Sequence, residues 1–267
     1  MSLLVETRGR VRIVSINRPE ARNAVNPETA RDLYKAFLEF DLDDSVDAAV
    51  LTGEGGFFCA GFDLKAAAED GGQDWIGEVD IPAGWRDARA QPLPGPMGPS
   101  RLMLTKPVIA AVEGFAVAGG IELAAWCDMR VAGASSTFGV FCRRWGVPLI
   151  DGGTIRLPAI MGQGRANDLI LTGRPVKADE AQRLGLVDRV VEDGAALAAA
   201  VDLAEGLSRF PQACMRADHL SARMSGEALA QSLTREWRSY ATFMSEGQHG
   251  AARFAGGKGR GGDFADI

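Results

Sequence analysis

Histidine is almost absent from this sequence: His219 and His249 are the two in 267 residues, both in the last third of the chain. That scarcity argues against a histidine-based metal site and against a Ser-His-Asp relay. No G-x-S-x-G elbow and no G-x-x-x-x-G-K-[ST] loop occurs either, so two common routes to nucleophilic and nucleotide chemistry are missing. The segment GQGRAN at 162–167 lacks the third glycine of a dinucleotide fingerprint and follows no strand signal. Cys59, Cys127, Cys142 and Cys214 form no C-x-x-C pair, and MSLLVETRGR carries no leader pattern. Reduced thiols in a cytoplasm are the expectation. Positive charge is not in excess, with 29 Lys and Arg against 35 Asp and Glu and a net charge of -6. A nucleic-acid partner would require a basic face, and none is visible. The longest near-apolar stretch, Val108 to Cys127, is interrupted by Glu113, Glu122 and the pair Gly119-Gly120. It reads as buried core rather than a membrane span.

What is present is an α/β alternation over roughly the first two thirds. RVRIVSIN sets Val11, Ile13 and Ile16 among polar residues and predicts a strand. NPETARDLYKAFLEFD predicts a helix with Asn26 as cap and Pro27 at the first helical position, its apolar face carried by residues 30, 33, 34, 37 and 38. DAAVLTGEG and KPVIAAVEG predict short buried strands, and DMRVAGASSTFGV a further strand pair. Beyond residue 175, KADEAQRLGL, GAALAAAVDLAEGLSRF and SGEALAQSLTREWRSYATFM all have helical spacing. The domain expectation is a core over 1–195 and a helical C-terminal region over 196–267. Within the core, residues 69–101 hold five prolines, six glycines, Trp75 and Trp85. That composition predicts an irregular insertion serving as a lid, a binding loop or a mobile segment. The Gly-rich tail GGKGRGGDFADI has Phe264 as its candidate anchor.

Two glycine-containing turns each lead from a strand signal into a helix signal: GGFFCAGFDLK at 55–65 and GFAVAGGIELAA from Gly114. Small residues there suit close strand-helix packing. They also leave backbone N–H groups uncommitted at a helix start, free to donate to an anion. Glu122, in the second turn's helix, is either a carboxylate pointing outward from a half-buried helix or a group with chemical work to do.

NRPEARNAV, FCAGFDLK, KPVIAAVEGFAVAGGIELAAWCDMRVA, FGVFCRRWGVPLIDGGTIRLP and LILTGRPVKADEAQRLGLVDRVV occur in an order and spacing that resemble the enoyl-CoA hydratase/isomerase, or crotonase, superfamily. The resemblance implies a crotonase-like spiral of ββα units with a helical C-terminal region that assembles trimers or hexamers. It implies an acyl-CoA thioester as partner, with coenzyme A entering as part of the substrate and no separate cofactor or metal. The amide N–H groups of Phe62 and Gly119 would form an oxyanion hole for the thioester carbonyl. In such holes one lost donor lowers the rate on the order of a hundred- to a thousandfold. Amide direction matters there rather than side-chain size, so Phe62 is compatible with the role. Ala60, Asp63, Leu64 and Lys65, together with Arg22, match the coenzyme A side of the pattern. Glu122 occupies the position of a catalytic carboxylate, where burial would raise its pKa and the helix start would lower it.

One departure bears on the reaction. The pattern's second glutamate is replaced by Cys142 in FGVFCRRWG. Such a cysteine is a small buried hydrophobe unless Arg143 and Arg144 point inward and lower its pKa. Asp151, in PLIDGGT three residues before Thr154, is a candidate replacement. Diverged relatives that isomerise dienoyl-CoA or displace halide from an aroyl-CoA use an aspartate in a similar setting. Asp before Gly-Gly is equally an ordinary turn residue or helix cap. The expected activity is hydration of a 2-enoyl-CoA, with enoyl- or dienoyl-CoA isomerisation and non-catalytic acyl-CoA binding as alternatives.

Overall fold

In a computed structural model, described over residues 1–68 and 72–259, the chain starts with β1 (Leu3–Arg8), β2 (Val11–Ile16), α1 (Pro27–Leu42) and β3 (Ala48–Gly53). It continues through α2 (Leu64–Ala68), α3 (Gly72–Glu78), β4 (Val108–Val112), β5 (Phe115–Val117) and α4 (Gly119–Trp126). Then come β6 (Met129–Gly133), β7 (Thr137–Gly139), α5 (Gly153–Met161), α6 (Gln163–Thr172) and β8 (Val176–Lys177). The last part holds α7 (Ala178–Leu184), β9 (Arg189–Val191), α8 (Ala196–Ser208), α9 (Gln212–Ser221), α10 (Gly226–Arg238) and α11 (Tyr240–Ala255).

The strands form a six-stranded sheet in the order β1-β2-β3-β4-β6-β9 and a three-stranded sheet in the order β5-β7-β8. From β2 onward the large sheet is parallel, with β1 antiparallel at its edge. Each repeat places one strand in the large sheet and the next in the small one, then turns into a helix: β4, β5, α4, and then β6, β7, α5. The first repeat follows the same path, because Cys59, after β3 and before α2, bridges to Ala116 of β5. This is the expected spiral of ββα units. β6 and β7, read from the sequence as a strand pair, accordingly lie in different sheets.

Period-two side-chain placement explains why these strands are nearly all apolar. Val14 and Ile16, Ala49 and Leu51, and Val108, Ala110 and Val112 face the main core. Val11 and Ile13, Ala48 and Val50, and Ile109 and Ala111 face α8 through Ala196, Ala200, Val201 and Ala204. A parallel sheet covered on both faces needs apolar residues at every position. The helix α8 is therefore a layer of the sheet, although it starts just past the boundary expected at residue 195. Asn26 caps α1 as its sequence predicts, accepting from Thr29 N at 2.9 Å.

From Gly72 onward the expected irregular insertion is a packed wall. Trp75 is buried and its Nε1 donates to Pro96 O at 3.2 Å; Trp85 donates to Gln91 O at 2.7 Å and packs with Ala88 against Ala230 and Leu233 of α10. Tryptophan anchors and turns leave no period, which is why composition alone suggested a loose segment. The stretch SGEALAQSLTREWRSYATFM, read as helical, runs through two helices, α10 and α11, divided at Ser239. Phe264 lies outside the described residues. No described helix is long and apolar enough to cross a membrane.

Candidate active site

The two glycine-containing turns lie side by side. Cys59 N donates to Phe115 O at 2.9 Å and Val117 N to Cys59 O at 3.1 Å, which locks the first turn to β5. At Gly120 a Cβ would stand 2.1 Å from Cys59 O, so this approach requires glycine. Gly61 has φ +98°, and a Cβ there would meet Gly119 N at 2.9 Å. Ala118, which precedes α4, has φ 54° and ψ -125°, a conformation costing about 1–3 kcal/mol in a non-glycine residue. Among the described residues neither Phe62 N nor Gly119 N has a hydrogen-bond acceptor. Both residues line one cavity of about 710 Å³.

Glu122, on the first turn of α4, is 2% exposed and lines the same cavity. The outward-pointing alternative is thereby excluded. Its Oε1 accepts from Asp151 N and Gly153 N, each at 2.9 Å, while Oε2 has no partner among the described residues. Burial holds its pKa well above the usual carboxylate range; the charges of Asp151 and Glu236 add to that, and the two amide bonds oppose it.

Asp151 also lines the cavity and is buried. Its Oδ1 accepts from Met97 N at 2.9 Å and from the Ser100 hydroxyl, leaving Oδ2 without a described partner. Burial raises its pKa, but Ser100, Met97, Arg101 and Arg156 all pull it back. The structure thus brings Glu122 and Asp151 to one cavity, each with one oxygen fixed. Thr154 turns elsewhere, donating through Oγ1 to Glu236 Oε1 at 2.7 Å.

Cys142 is a neutral thiol. Burial pushes it up to about 12, with a further rise from Glu122. Arg143 opposes this but does not outweigh burial; exposed, it donates to Ile170 O at 3.0 Å, while buried Arg144, on the cavity wall, lies over the Phe141 ring at 4.4 Å.

The residues matched to coenzyme A, namely Arg22, Ala60, Asp63, Leu64 and Lys65, all line the cavity. Arg22 and Lys65 are exposed, and Arg22 sits 5.9 Å from the Phe57 ring centre. Asp63 is committed within the protein: it accepts from Lys65 N at 3.1 Å and pairs with Arg18 at 3.0 Å. Arg18, in the quoted NRPEARNAV segment but not singled out, lines the cavity too.

Glu236 of α10 was missed. It is buried and accepts from Gly152 N, Thr154 N and Thr154 Oγ1 at 2.6, 2.9 and 2.7 Å. A signal existed, because Glu236 falls on the same helix face as Ala230, Leu233 and Trp237. A carboxylate on an apolar face needs donors from somewhere else in the fold.

Two uncommitted amides beside two carboxylates can hold a polarised carbonyl and move protons next to it. Among the described residues no His, Cys, Asp and Glu cluster could hold a metal ion. Residues 6–259 match the family description for enoyl-CoA hydratase/isomerase. The enoyl-CoA hydratase EchA19 of Mycobacterium tuberculosis is 42% identical over 212 residues, covering 77% of this chain and 74% of that protein. A probable enoyl-CoA hydratase of Rhizobium meliloti is 40% identical over 259 residues, covering 95% of this chain and 94% of the other. A crystal structure of carnitinyl-CoA hydratase from Mycobacterium avium superposes with a TM-score of 0.81 at 31% identity, covering 96% of this chain and 95% of that one. With its ββα spiral, its paired turns and these matches along nearly its whole length, the chain belongs to the enoyl-CoA hydratase/isomerase, or crotonase, family.

Proposed function

We propose that this protein hydrates 2-enoyl-CoA thioesters using Glu122 and Asp151 as its two carboxylates. The observation that carries the reading is the pair of half-committed carboxylates on the cavity that also exposes Phe62 and Gly119. The thioester oxygen lies between the two amide N–H groups, which stabilise the enolate formed when the β-carbon is attacked. Asp151, supported by Ser100, Met97, Arg101 and Arg156, is the base that takes a proton from water as its oxygen bonds to the β-carbon. Glu122, with the more strongly raised pKa, is the acid that delivers a proton to the α-carbon. One water is consumed and the C=C bond becomes a single bond, so the balance closes without a cofactor. Environments that push two carboxylates apart in pKa are what such a division of roles requires.

Arg22, Ala60, Leu64 and Lys65 form the coenzyme A side, with Asp63 shaping it through Arg18. The C-terminal region over 196–267 serves assembly into a trimer or hexamer in the cytoplasm; sedimentation of the purified chain reads the oligomer directly.

The test of the reaction is loss of the conjugated-thioester absorbance with short and medium 2-enoyl-CoA substrates. Rapid loss is expected in the wild type, with a fall of roughly a hundred- to ten-thousandfold in Glu122→Gln and in Asp151→Asn. Double-bond migration without water uptake would replace this reading with isomerisation, and binding without turnover would replace it with an acyl-CoA binder.

A further inference from the structure

At the start of α5 four successive backbone amides are divided alternately between two carboxylates. Asp151 N and Gly153 N donate to Glu122 Oε1, both at 2.9 Å. Gly152 N donates to Glu236 Oε2 at 2.6 Å, and Thr154 N and Oγ1 donate to Glu236 Oε1 at 2.9 and 2.7 Å. The N-terminal amides of a helix have no intrahelical acceptors. Glu122 and Glu236, from α4 and α10, supply them here. The amide bonds that orient Glu122 therefore depend on a helix end that Glu236 holds from the other side.

We propose that Glu236 is a positioning residue for the Glu122–Asp151 pair, fixing the α5 start so that Glu122 keeps its acid-ready orientation. The role rests on the reading of Glu122 and Asp151 given above, and it adds a residue from the C-terminal helical region to the site's machinery. Geometry and charge act together. A buried carboxylate near Glu122 disfavours a second negative charge, and its three bonds to Gly152 N, Thr154 N and Thr154 Oγ1 keep the helix end from drifting. The other groups around Glu122 are Asp151 before α5, neutral Cys142 and, as counter-charges to the carboxylates, Arg156 on α5 and Arg101. Arg156 is itself fixed, donating to Asp151 O at 2.8 Å and Ser100 O at 2.6 Å.

The deciding experiment is a pH titration of carboxyl-¹³C-labelled protein by NMR, with the Glu122 signal assigned by its loss in Glu122→Gln. In Glu236→Gln the Glu122 midpoint moves to lower pH, because one nearby negative charge is gone. The alkaline limb of kcat/KM moves down with it, and kcat falls roughly ten- to a hundredfold from misplacement while KM changes little. Thr154→Val keeps Glu236 and the amide bonds but removes the hydroxyl that favours its ionised form. It shifts the Glu122 midpoint the same way by less, and it decides the matter if Glu236→Gln does not fold. Trp237→Phe removes the neighbouring bond to Asp80 Oδ1, 2.7 Å long, and serves as a stability control on the same helix. It lowers Tm and leaves the Glu122 midpoint in place. An unmoved Glu122 midpoint in folded Glu236→Gln, or in Thr154→Val when Glu236→Gln does not fold, overturns the proposal. The titration reads out without turnover. A wild type that fails to hydrate enoyl-CoA sinks the hydratase reading separately, and the midpoint still decides the role of Glu236.

Discussion

Glu122 is placed at the expense of stability. A buried carboxylate with a raised folded-state pKa binds its proton more tightly in the folded than in the unfolded chain. Its contribution is fully present below the unfolded pKa and is lost as pH rises toward the folded one. Glu122→Gln keeps an oxygen for the two amide bonds and has no charge to bury. The variant is therefore expected to have a higher Tm than the wild type at neutral pH, with a gap that narrows as pH falls; thermal melts across that range check it. Cys142 gives a contrasting expectation. With its thiol buried and pushed up to about 12, Cys142→Ala should lower kcat by less than about tenfold, far less than Asp151→Asn. Exposed Cys214 should be the cysteine a thiol reagent labels in the folded protein, which mass spectrometry reads directly. At this scale Glu122 was legible because a lone acid stood in an otherwise small and apolar helix. Asp151 was only half legible, since Asp before Gly-Gly suits a turn as well as a base. Ser100 and Met97, which orient it, carry no signal at all, because their role depends on where an aperiodic segment happens to pass.

At the scale of elements, the site is the meeting of two turns rather than a set of side chains. Gly120→Ala should push α4 away from Cys59 and lower stability by about 1–3 kcal/mol. Turnover should fall by more than that loss explains, because Gly119, proposed above as an oxyanion donor, is the neighbour of the displaced residue. Denaturant melts and kcat measured on the folded fraction separate the two effects. Elements with a clean period were readable: α1 with its Asn26 cap, and β3 and β4 as unbroken apolar runs. The wall over residues 72–101 was not, because Trp75 and Trp85 anchor it through indole bonds to the carbonyls of Pro96 and Gln91, contacts that leave no period in the sequence. The edge strand β1 was also unread, since five of its six residues are exposed and only its pairing with β2 makes it a strand.

Across the whole molecule, α10 and α11 pack on the same chain's site. Trp85 and Ala88 share an apolar cluster with Ala230 and Leu233. Beside them, α11 packs against α2 and against the turn over Phe141–Trp145. Cutting the chain after Ser225 should leave the six-stranded sheet and its α8 layer in place while uncovering Trp85. Increased binding of an apolar dye, with hydration falling below detection, is the expected pair of results.

The cap on α5 also sets an order in time. Gly152 and its partner Glu236 are 84 residues apart in the chain, so the carboxylate that completes the cap leaves the ribosome long after Glu122 and Asp151. A growing chain therefore holds Glu122 and Asp151 before Glu236 is available to bond the α5 start. A chain grown only as far as α9 lacks both the second half of the α5 cap and the helices that close the wall.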